Sequence, residues 1–384
     1  MTKKIVACVG GGQLAQMLGQ AGEKLGIVVR SSGAKDSCAF SDCEPFTNDL
    51  NQEDNFKSFI EDIDVFTFES EHEGLDWAEK MQDNSINVFP PANFVKIAGD
   101  RFLEKSHLKD LEIPTAPFEL IDASISSAEL QNLLEEIISS KSLSPHGIVV
   151  KTRHGGYDGK GQWVLKVGEE TNFKKIASEI YPAISSPGCI VEGLVDFALE
   201  CSVIAARSTT GEFASWPLSH NEHRDSILRF SYSPILEINN LEELEIQAKN
   251  IARALCEQND YVGTIAVECF VTNNGLVVNE IAPRVHNSGH WTIEGSITSQ
   301  FEQHLRAITG MKLGSTQCPG FSAMINLVGV DVDKESFENK EGIYLHWYGK
   351  EVRDNRKVGH ITIVGSTVEE LGERTKTAMN LAEL

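Results

Sequence analysis

No window of about 20 apolar residues occurs in the chain, and the apolar stretch of its opening MTKKIVACVGGG is short and runs into glycines. Neither a membrane span nor an export signal is expected, and a cytoplasmic protein is. A C-x-x-C pair is also missing. The eight cysteines (Cys8, Cys38, Cys43, Cys189, Cys201, Cys256, Cys269 and Cys318) are scattered, several inside apolar strand-like runs, which predicts reduced core thiols. Basic side chains are scarce: 34 Lys and Arg stand against 56 Asp and Glu, a formal charge of −22 whose field repels polyanions. Nucleic acid and anionic membrane surfaces are therefore excluded as partners. A small phosphorylated ligand is not, because a few convergent cations can make a pocket locally basic inside an acidic exterior.

What is present is enough material for two or three domains: 384 residues, 41% of them apolar. The first hundred alternate strands such as KIVACVG, IVVRSS, DVFTFES and NVFPP with the helical pattern QLAQMLGQAGEKLG, which implies a parallel βαβ sheet. The pattern breaks at Pro90 and Pro91, so the first boundary is placed between Pro90 and Lys105. The middle region carries the strands GIVVKTR, QWVLKV, GCIVEGLV, LECSVIAAR, GTIAVECFVT and GLVVNEIA. Helical patterns run from Glu129 to Ser139, Asn172 to Ile180 and Leu241 to Gln258, an α+β domain on an antiparallel sheet. After Gly310 a small third lobe returns to the second. The fold class expected is thus α/β and α+β, with domains at 1–97, 98–310 and 311–384.

Six features carry chemistry. Gly10, Gly11 and Gly12 follow the first strand and open a helix whose N–H groups could hold an anion. A nicotinamide site would want an acidic residue ending the second strand, which instead ends in Arg30 and Ser31. Lys151 precedes His154, Gly155, Gly156, Tyr157, Asp158, Gly159, Lys160, Gly161 and Gln162, a flexible flap whose amides and two lysines suit phosphates, although a plain glycine-rich hairpin reads the same way. The order of a P-loop is missing, so another fold must hold the nucleotide. Glu268 and Glu280 lie in apolar strands joined by the polar turn Thr272 to Gly275, a hairpin that would face two carboxylates and suit Mg²⁺ bridging ATP phosphates. Glu192, Gly193, Leu194 and Val195 end one strand and Glu200 starts the next, an arrangement that suits adenine and ribose. Arg284, His286, Asn287, Ser288, Gly289 and His290 follow the hairpin as substrate contacts. Finally, Lys350, Arg353, Arg356 and Lys357 make a basic cluster, either a solvated face or the seat of a phosphate monoester.

Together GGGQL, FTFESE (Phe66 to Glu71), DRFLEK (Asp100 to Lys105), GGYDGKGQ, EGLVDF, YGKEVRDNRKVGHI and above all NEIAPRVHNSGHWTIEGSITSQFEQHLRAI resemble the ATP-grasp 5-(carboxyamino)imidazole ribonucleotide synthases of bacterial and fungal purine synthesis. The resemblance runs from about Lys4 to Ile363. It departs from the family pattern at Ala15, Gln16, Ser70, His72, Gly99 and Val285.

The resemblance implies an ATP-grasp fold with an N-terminal Rossmann-like lobe, a central ATP-grasp domain and a small C-terminal lobe. It implies that ATP phosphorylates bicarbonate to carboxyphosphate, whose CO₂ is captured by the amine of 5-aminoimidazole ribonucleotide. Arg101, Lys151, Gly156, Tyr157, Asp158, Gly159, Lys160, Gly161, Gln162, Glu192, Gly193, Leu194, Val195, Glu200, His223, Asn279 and Glu280 would hold ATP. Glu268 and Glu280 would hold one or two Mg²⁺ ions. Glu71, Tyr157, Asp158, Lys160, Arg284 and His286 match the carboxylation site, with Asp158 expected to orient the attacking amine or take its proton. Lys350, Arg356 and Lys357, and Ser37 as a further candidate, would meet the ribonucleotide phosphate. Family members also imply a homodimer. The rival readings are a sister ATP-grasp ligase, such as a formate-dependent glycinamide ribonucleotide transformylase or a biotin carboxylase, and a non-catalytic nucleotide sensor.

Overall fold

The computed structural model describes residues 3–155, 161–184, 187–236 and 238–384, and among these the strands form three sheets. The first is parallel, with β1 (Ile5–Val9), β2 (Val28–Ser32), β3 (Glu44–Phe46), β4 (Val65–Phe68) and β5 (Asn87–Val88) in the order β3-β2-β1-β4-β5. The helix Gln13–Leu25 crosses from β1 to β2 and buries Leu14, Met17, Leu18 and Ala21, a 3.6-residue spacing. Strand order reverses at β1, so the ends of β1 and β4 open side by side at a topological switch point, where sheets of this kind form a crevice.

The second sheet is antiparallel: β6 (Phe118–Ile121), β7 (Gly147–Thr152), β8 (Gln162–Lys166) and β9 (Cys189–Gly193), ordered β6-β9-β7-β8. The helices Ser127–Ser140 and Phe173–Ile180 cover it, and a capping box between Ser126 and Glu129 starts the first of them. The third sheet contains β10 (Leu199–Arg207), β11 (Phe213–Ser215), β12 (Ser219–Arg224), β13 (Ile227–Ser233), β14 (Gly263–Thr272), β15 (Gly275–Ala282), β16 (Phe321–Val328), β17 (Ile343–Trp347) and β18 (Lys357–Gly365). Its path is β15-β14-β10-β12-β13-β16-β18-β17. The sequence led us to expect one antiparallel sheet in the middle region; the structure has two. Alternation of apolar residues identifies a strand and its buried face but not its partner. The expected return of the last segment is the pairing of β16 with β13.

The helix Leu241–Gln258, at the limits expected from its sequence, buries Leu244, Ala248, Ile251, Ala252 and Leu255 against β10 and β14. All eight cysteines are free and six are buried. No helix among the described residues is long and apolar enough to cross a membrane.

A buried histidine joins the parallel sheet to the rest. The Thr264 N–H donates to His304 Nδ1 at 3.0 Å, so Nε2 carries the proton and donates to Thr67 Oγ1 at 2.8 Å. Burial pushes this imidazole down to about 4. It therefore stays neutral in the fold, whereas the unfolded chain takes up a proton near pH 6.5. The stability it contributes is present above pH 6.5 and is lost as pH falls towards 4. Equilibrium unfolding should show a decline across that window, and His304→Gln should reduce it by on the order of 3 kcal/mol. An unaltered slope would remove His304 as its cause.

Candidate functional site

A cleft of about 960 Å³ lies where the three sheets meet. Gln13, Glu71 and His72 reach it from the parallel sheet, and Lys151 and Gln162 from the second sheet. The third sheet contributes Glu200, His223, Glu268, Asn279, Glu280 and the following Arg284 and His286. The loop before β18 adds Lys350, Arg353 and Arg356, and Lys357 opens that strand. Residues that sequence placed far apart thus share one cavity.

At one end Lys151 Nζ donates to Glu192 Oε2 at 3.0 Å and to Asn279 Oδ1 at 3.4 Å. Glu192 is 4% exposed, and Lys105 approaches the same Oε2 at 3.8 Å. Burial opposes ionisation of Glu192, but Lys105 and Lys151 outweigh it and hold the carboxyl below its usual range. Lys105 itself is 1% exposed and donates to Thr115 Oγ1, Val278 O and Asn279 O at 2.8, 3.1 and 2.6 Å. The sequence reading named Arg101 in this motif and passed over Lys105. The available signal was their spacing of four on one helix, Arg101–Asp110, which puts both on one face. Arg101 Nη1 donates to Thr152 O and Gly155 O at 3.0 and 2.6 Å, at the root of the glycine stretch. The next residues expected in the site, Gly156, Tyr157, Asp158, Gly159 and Lys160, lie outside the described residues. Gly161 closes back onto β7, its carbonyl accepting from the Thr152 N–H at 2.9 Å.

Gly193, Leu194 and Val195 are not brought into the main cleft. They line a neighbouring cavity of about 360 Å³ with Thr115, Pro117 and Leu143. Glu200 does line the cleft and hydrogen-bonds His223. Burial works against a proton on His223, yet the bond to Glu200 and the charge of Glu268 hold its pKa above the ordinary value.

Glu268 and Glu280 are direct cross-strand partners in the β14–β15 hairpin, beside a bulge. Burial, and then the charge of Glu280, push Glu268 up to about 7. Such a pair accommodates a cation. Among the described residues no group of three or more His, Cys, Asp or Glu is set to hold a metal. A two-carboxylate donor set fits an ion that completes its shell with phosphate oxygens and water, as Mg²⁺ does.

Towards the N-terminal crevice, Arg284 grips Glu71 in a two-pronged pair, Nε to Oε2 at 2.6 Å and Nη2 to Oε1 at 3.1 Å. Burial opposes the Glu71 charge, but Arg284 brings its carboxyl down to about 2. His286 is pushed down to about 3, first by burial and then by the charges of Arg284 and Lys357, so it is neutral at physiological pH. Its backbone is clamped by a residue the sequence reading missed. Gln300 Oε1 accepts from the His286 N–H at 2.9 Å, and Gln300 Nε2 donates to His286 O at 2.7 Å.

The glycine run does not hold an external anion as expected. Glu69 occupies the helix start, accepting from the N–H groups of Gly12, Leu14 and Ala15 at 2.9, 3.2 and 3.3 Å. A Cβ on Gly10 would stand 2.3 Å from Glu69 Oε2, and one on Gly11 would stand 2.3 Å from Ser37 Oγ. The glycines admit these two side chains. Ser37, half-buried, packs beside Gly11 and Gly33, whereas Lys350 lines the cleft and donates to Gln13 Oε1. Arg353 pairs with Glu351 at 2.5 Å.

Breaking the Glu71–Arg284 pair leaves a guanidinium uncompensated in a site where both side chains are only 16% exposed. Glu71→Gln should therefore lower unfolding stability by about 3 kcal/mol. A denaturant midpoint equal to that of the native chain would show that another group neutralises Arg284.

Three family profiles match along the chain: a ribonucleotide synthetase preATP-grasp domain at residues 2–99, an ATP-grasp domain at 106–301 and a phosphoribosylaminoimidazole carboxylase C-terminal domain at 322–374. The chain is 38% identical over 371 residues to the N5-carboxyaminoimidazole ribonucleotide synthase of Escherichia coli (strain K12), covering 96% of this chain and 92% of that one. It is 37% identical over 359 residues to the Pseudomonas aeruginosa protein of the same name, covering 93% and 94%. The crystal structure of N5-carboxyaminoimidazole ribonucleotide synthetase from Thermus thermophilus superposes with a TM-score of 0.86 at 37% identity, over 99% of both chains. The Aspergillus clavatus enzyme in complex with ADP and 5-aminoimidazole ribonucleotide gives a TM-score of 0.84 at 26% identity, over 99% of both chains.

Proposed function

The chain belongs to the N5-carboxyaminoimidazole ribonucleotide synthase family of ATP-grasp ligases, and from that membership we propose that it carboxylates the exocyclic amine of 5-aminoimidazole ribonucleotide with ATP and bicarbonate. The observation that carries this reading is one cleft holding three kinds of group: a lysine and carboxylate cluster at Lys151, an arginine held by Glu71, and three further cations at Lys350, Arg356 and Lys357.

ATP lies with its phosphates against Lys151 and Arg101 and its nucleoside towards Glu200 and His223. Bound between Glu268 and Glu280, Mg²⁺ would neutralise charge on the phosphates. A bicarbonate oxygen attacks the γ-phosphorus as the bond to ADP breaks, and the resulting carboxyphosphate releases phosphate and CO₂. Arg284, fixed by Glu71, offers a planar pair of donors to the carboxylate. The amine nitrogen then bonds to the CO₂ carbon and loses a proton. Asp158, outside the described residues, is the proposed acceptor, and neutral His286 stands beside the reacting carbon to receive or donate a hydrogen bond. The ribonucleotide phosphate sits on Lys350, Arg356 and Lys357. A homodimer and cytoplasmic residence belong to the same proposal; the second is supported by the eight free thiols.

ADP release should be measured with Mg-ATP and bicarbonate, with and without 5-aminoimidazole ribonucleotide, together with formation of the carboxylated product. Stimulation by the ribonucleotide with product formed is expected. Turnover that ignores it would redirect the assignment to another acceptor, and no turnover at all would favour a nucleotide sensor. In the same assay Glu268→Gln and Glu280→Gln should each lower kcat/KM by about a hundredfold or more, as loss of a charge-stabilising group does. A partial recovery at raised Mg²⁺ is expected, and activity independent of either carboxylate would refute the metal assignment.

A further inference from the structure

Beneath the cleft floor a set of stacked rings joins the loop that follows Arg284 to the loop that carries the phosphate cations. Of its members only His290 was expected from sequence to meet substrate, and it is buried and does not line the cleft. Tyr348 is 3% exposed, His290 1% and His360 0%. The His346 and His360 rings lie face to face, 4.3 Å apart at 7°, and His290 packs on His360 at 4.8 Å. Glu294 Oε1 anchors His346 Nε2 at 3.0 Å, and the Tyr348 hydroxyl meets His360 Nδ1 at 2.7 Å. His360 Nε2 is buried with no hydrogen-bond partner, so the Tyr348 hydroxyl is the one polar anchor of that ring among the described residues.

The Tyr348 ring in turn supports Lys350, whose ammonium stands 5.8 Å from the ring centroid and donates to Gln13 Oε1. Only Gly349 separates the two residues, and it has a φ of +72° and open space around it. The ammonium is held by the aromatic face below and by Gln13, and the face is held by His360. The stem of a lysine is flexible, and a long side chain that must be ordered at the moment of binding weakens that binding.

We propose that Tyr348 and His360 are positioning residues for the ribonucleotide phosphate, holding Lys350 ready through the anchored phenol ring. This rests on the assignment of Lys350 to that phosphate. Tyr348→Phe keeps the ring beneath the lysine and deletes only the hydroxyl; His360→Gln removes the stacked ring.

The test is steady-state ADP release with either 5-aminoimidazole ribonucleotide or ATP varied, for the native chain, both single variants and the double variant. KM for the ribonucleotide should rise about five- to tenfold in each single variant, the effect of one buried neutral hydrogen bond. KM for ATP should stay within about twofold, because Lys151 and its partners are not touched. The double variant should be no worse than His360→Gln alone, since the hydroxyl that Tyr348→Phe deletes has already lost its partner there. An unchanged ribonucleotide KM, a parallel rise in both KM values, or multiplied effects in the double variant would overturn the inference; a parallel rise is what a merely structural role produces. Should His360→Gln fail to fold, the near-isosteric Tyr348→Phe carries the test alone. A native chain that the ribonucleotide does not stimulate would overturn the substrate reading itself, and this inference with it.

Discussion

A single ammonium group, that of Lys105, stands at the point where the helix Arg101–Asp110 meets both antiparallel sheets. An uncompensated ammonium at 1% exposure costs several kcal/mol, so the position is tolerable only if every donor is used. The donors reach the hydroxyl of Thr115 and the carbonyls of Val278 and Asn279 on β15, and the charge faces Glu192 on β9. Once those partners are set, Glu192 is held in place, and Lys151 is drawn to the same Oε2 and to Asn279. The Lys151 end of the cleft follows from satisfying one buried charge.

The same cleft brings together groups of both signs: Lys151, the carboxylates of Glu268 and Glu280, Arg284 held by Glu71, and the cations around Lys350. Opposed carboxylates raise each other's cost of ionisation, and that repulsion is relieved by a cation shared between them. A guanidinium gripped by a carboxylate cannot swing, so it presents its remaining face in one orientation. On a chain of net charge −22, these few inward-facing cations, rather than the surface, define where anionic substrates are stable.

Much of this was legible in the sequence. The β14–β15 hairpin was read from a polar turn between two apolar strands, and its carboxylates do pair across the ladder. The helix Leu241–Gln258 was read from its 3.6-residue spacing. The glycine run was misread because its partner, Glu69, lies 57 residues away from Gly12. Nothing local distinguishes a helix start that awaits an external anion from one already occupied by a carboxylate of the same chain. Gln300 and Lys105 were missed for a related reason, since most of their partners are backbone atoms of β15 and of His286, far off in sequence, which carry no side-chain signature. Ser37, a candidate for the phosphate, also fills the space left by the side chain that Gly11 lacks, a contact no local pattern reveals.

The sequence by itself determined the local elements and the chemical inventory. Periodicity follows from backbone geometry, and the titratable groups are present whatever the fold. It also carried motifs long enough to mark the family. Only the tertiary structure decided that the middle region holds two sheets, that Glu69 caps the first helix, and that Gly193 to Val195 turn towards a second cavity. Those outcomes depend on which strand pairs with which and on which buried polar atom finds a partner. Such choices are made by contacts between residues far apart in the chain, where the cost of an unpaired group, not local preference, selects the arrangement.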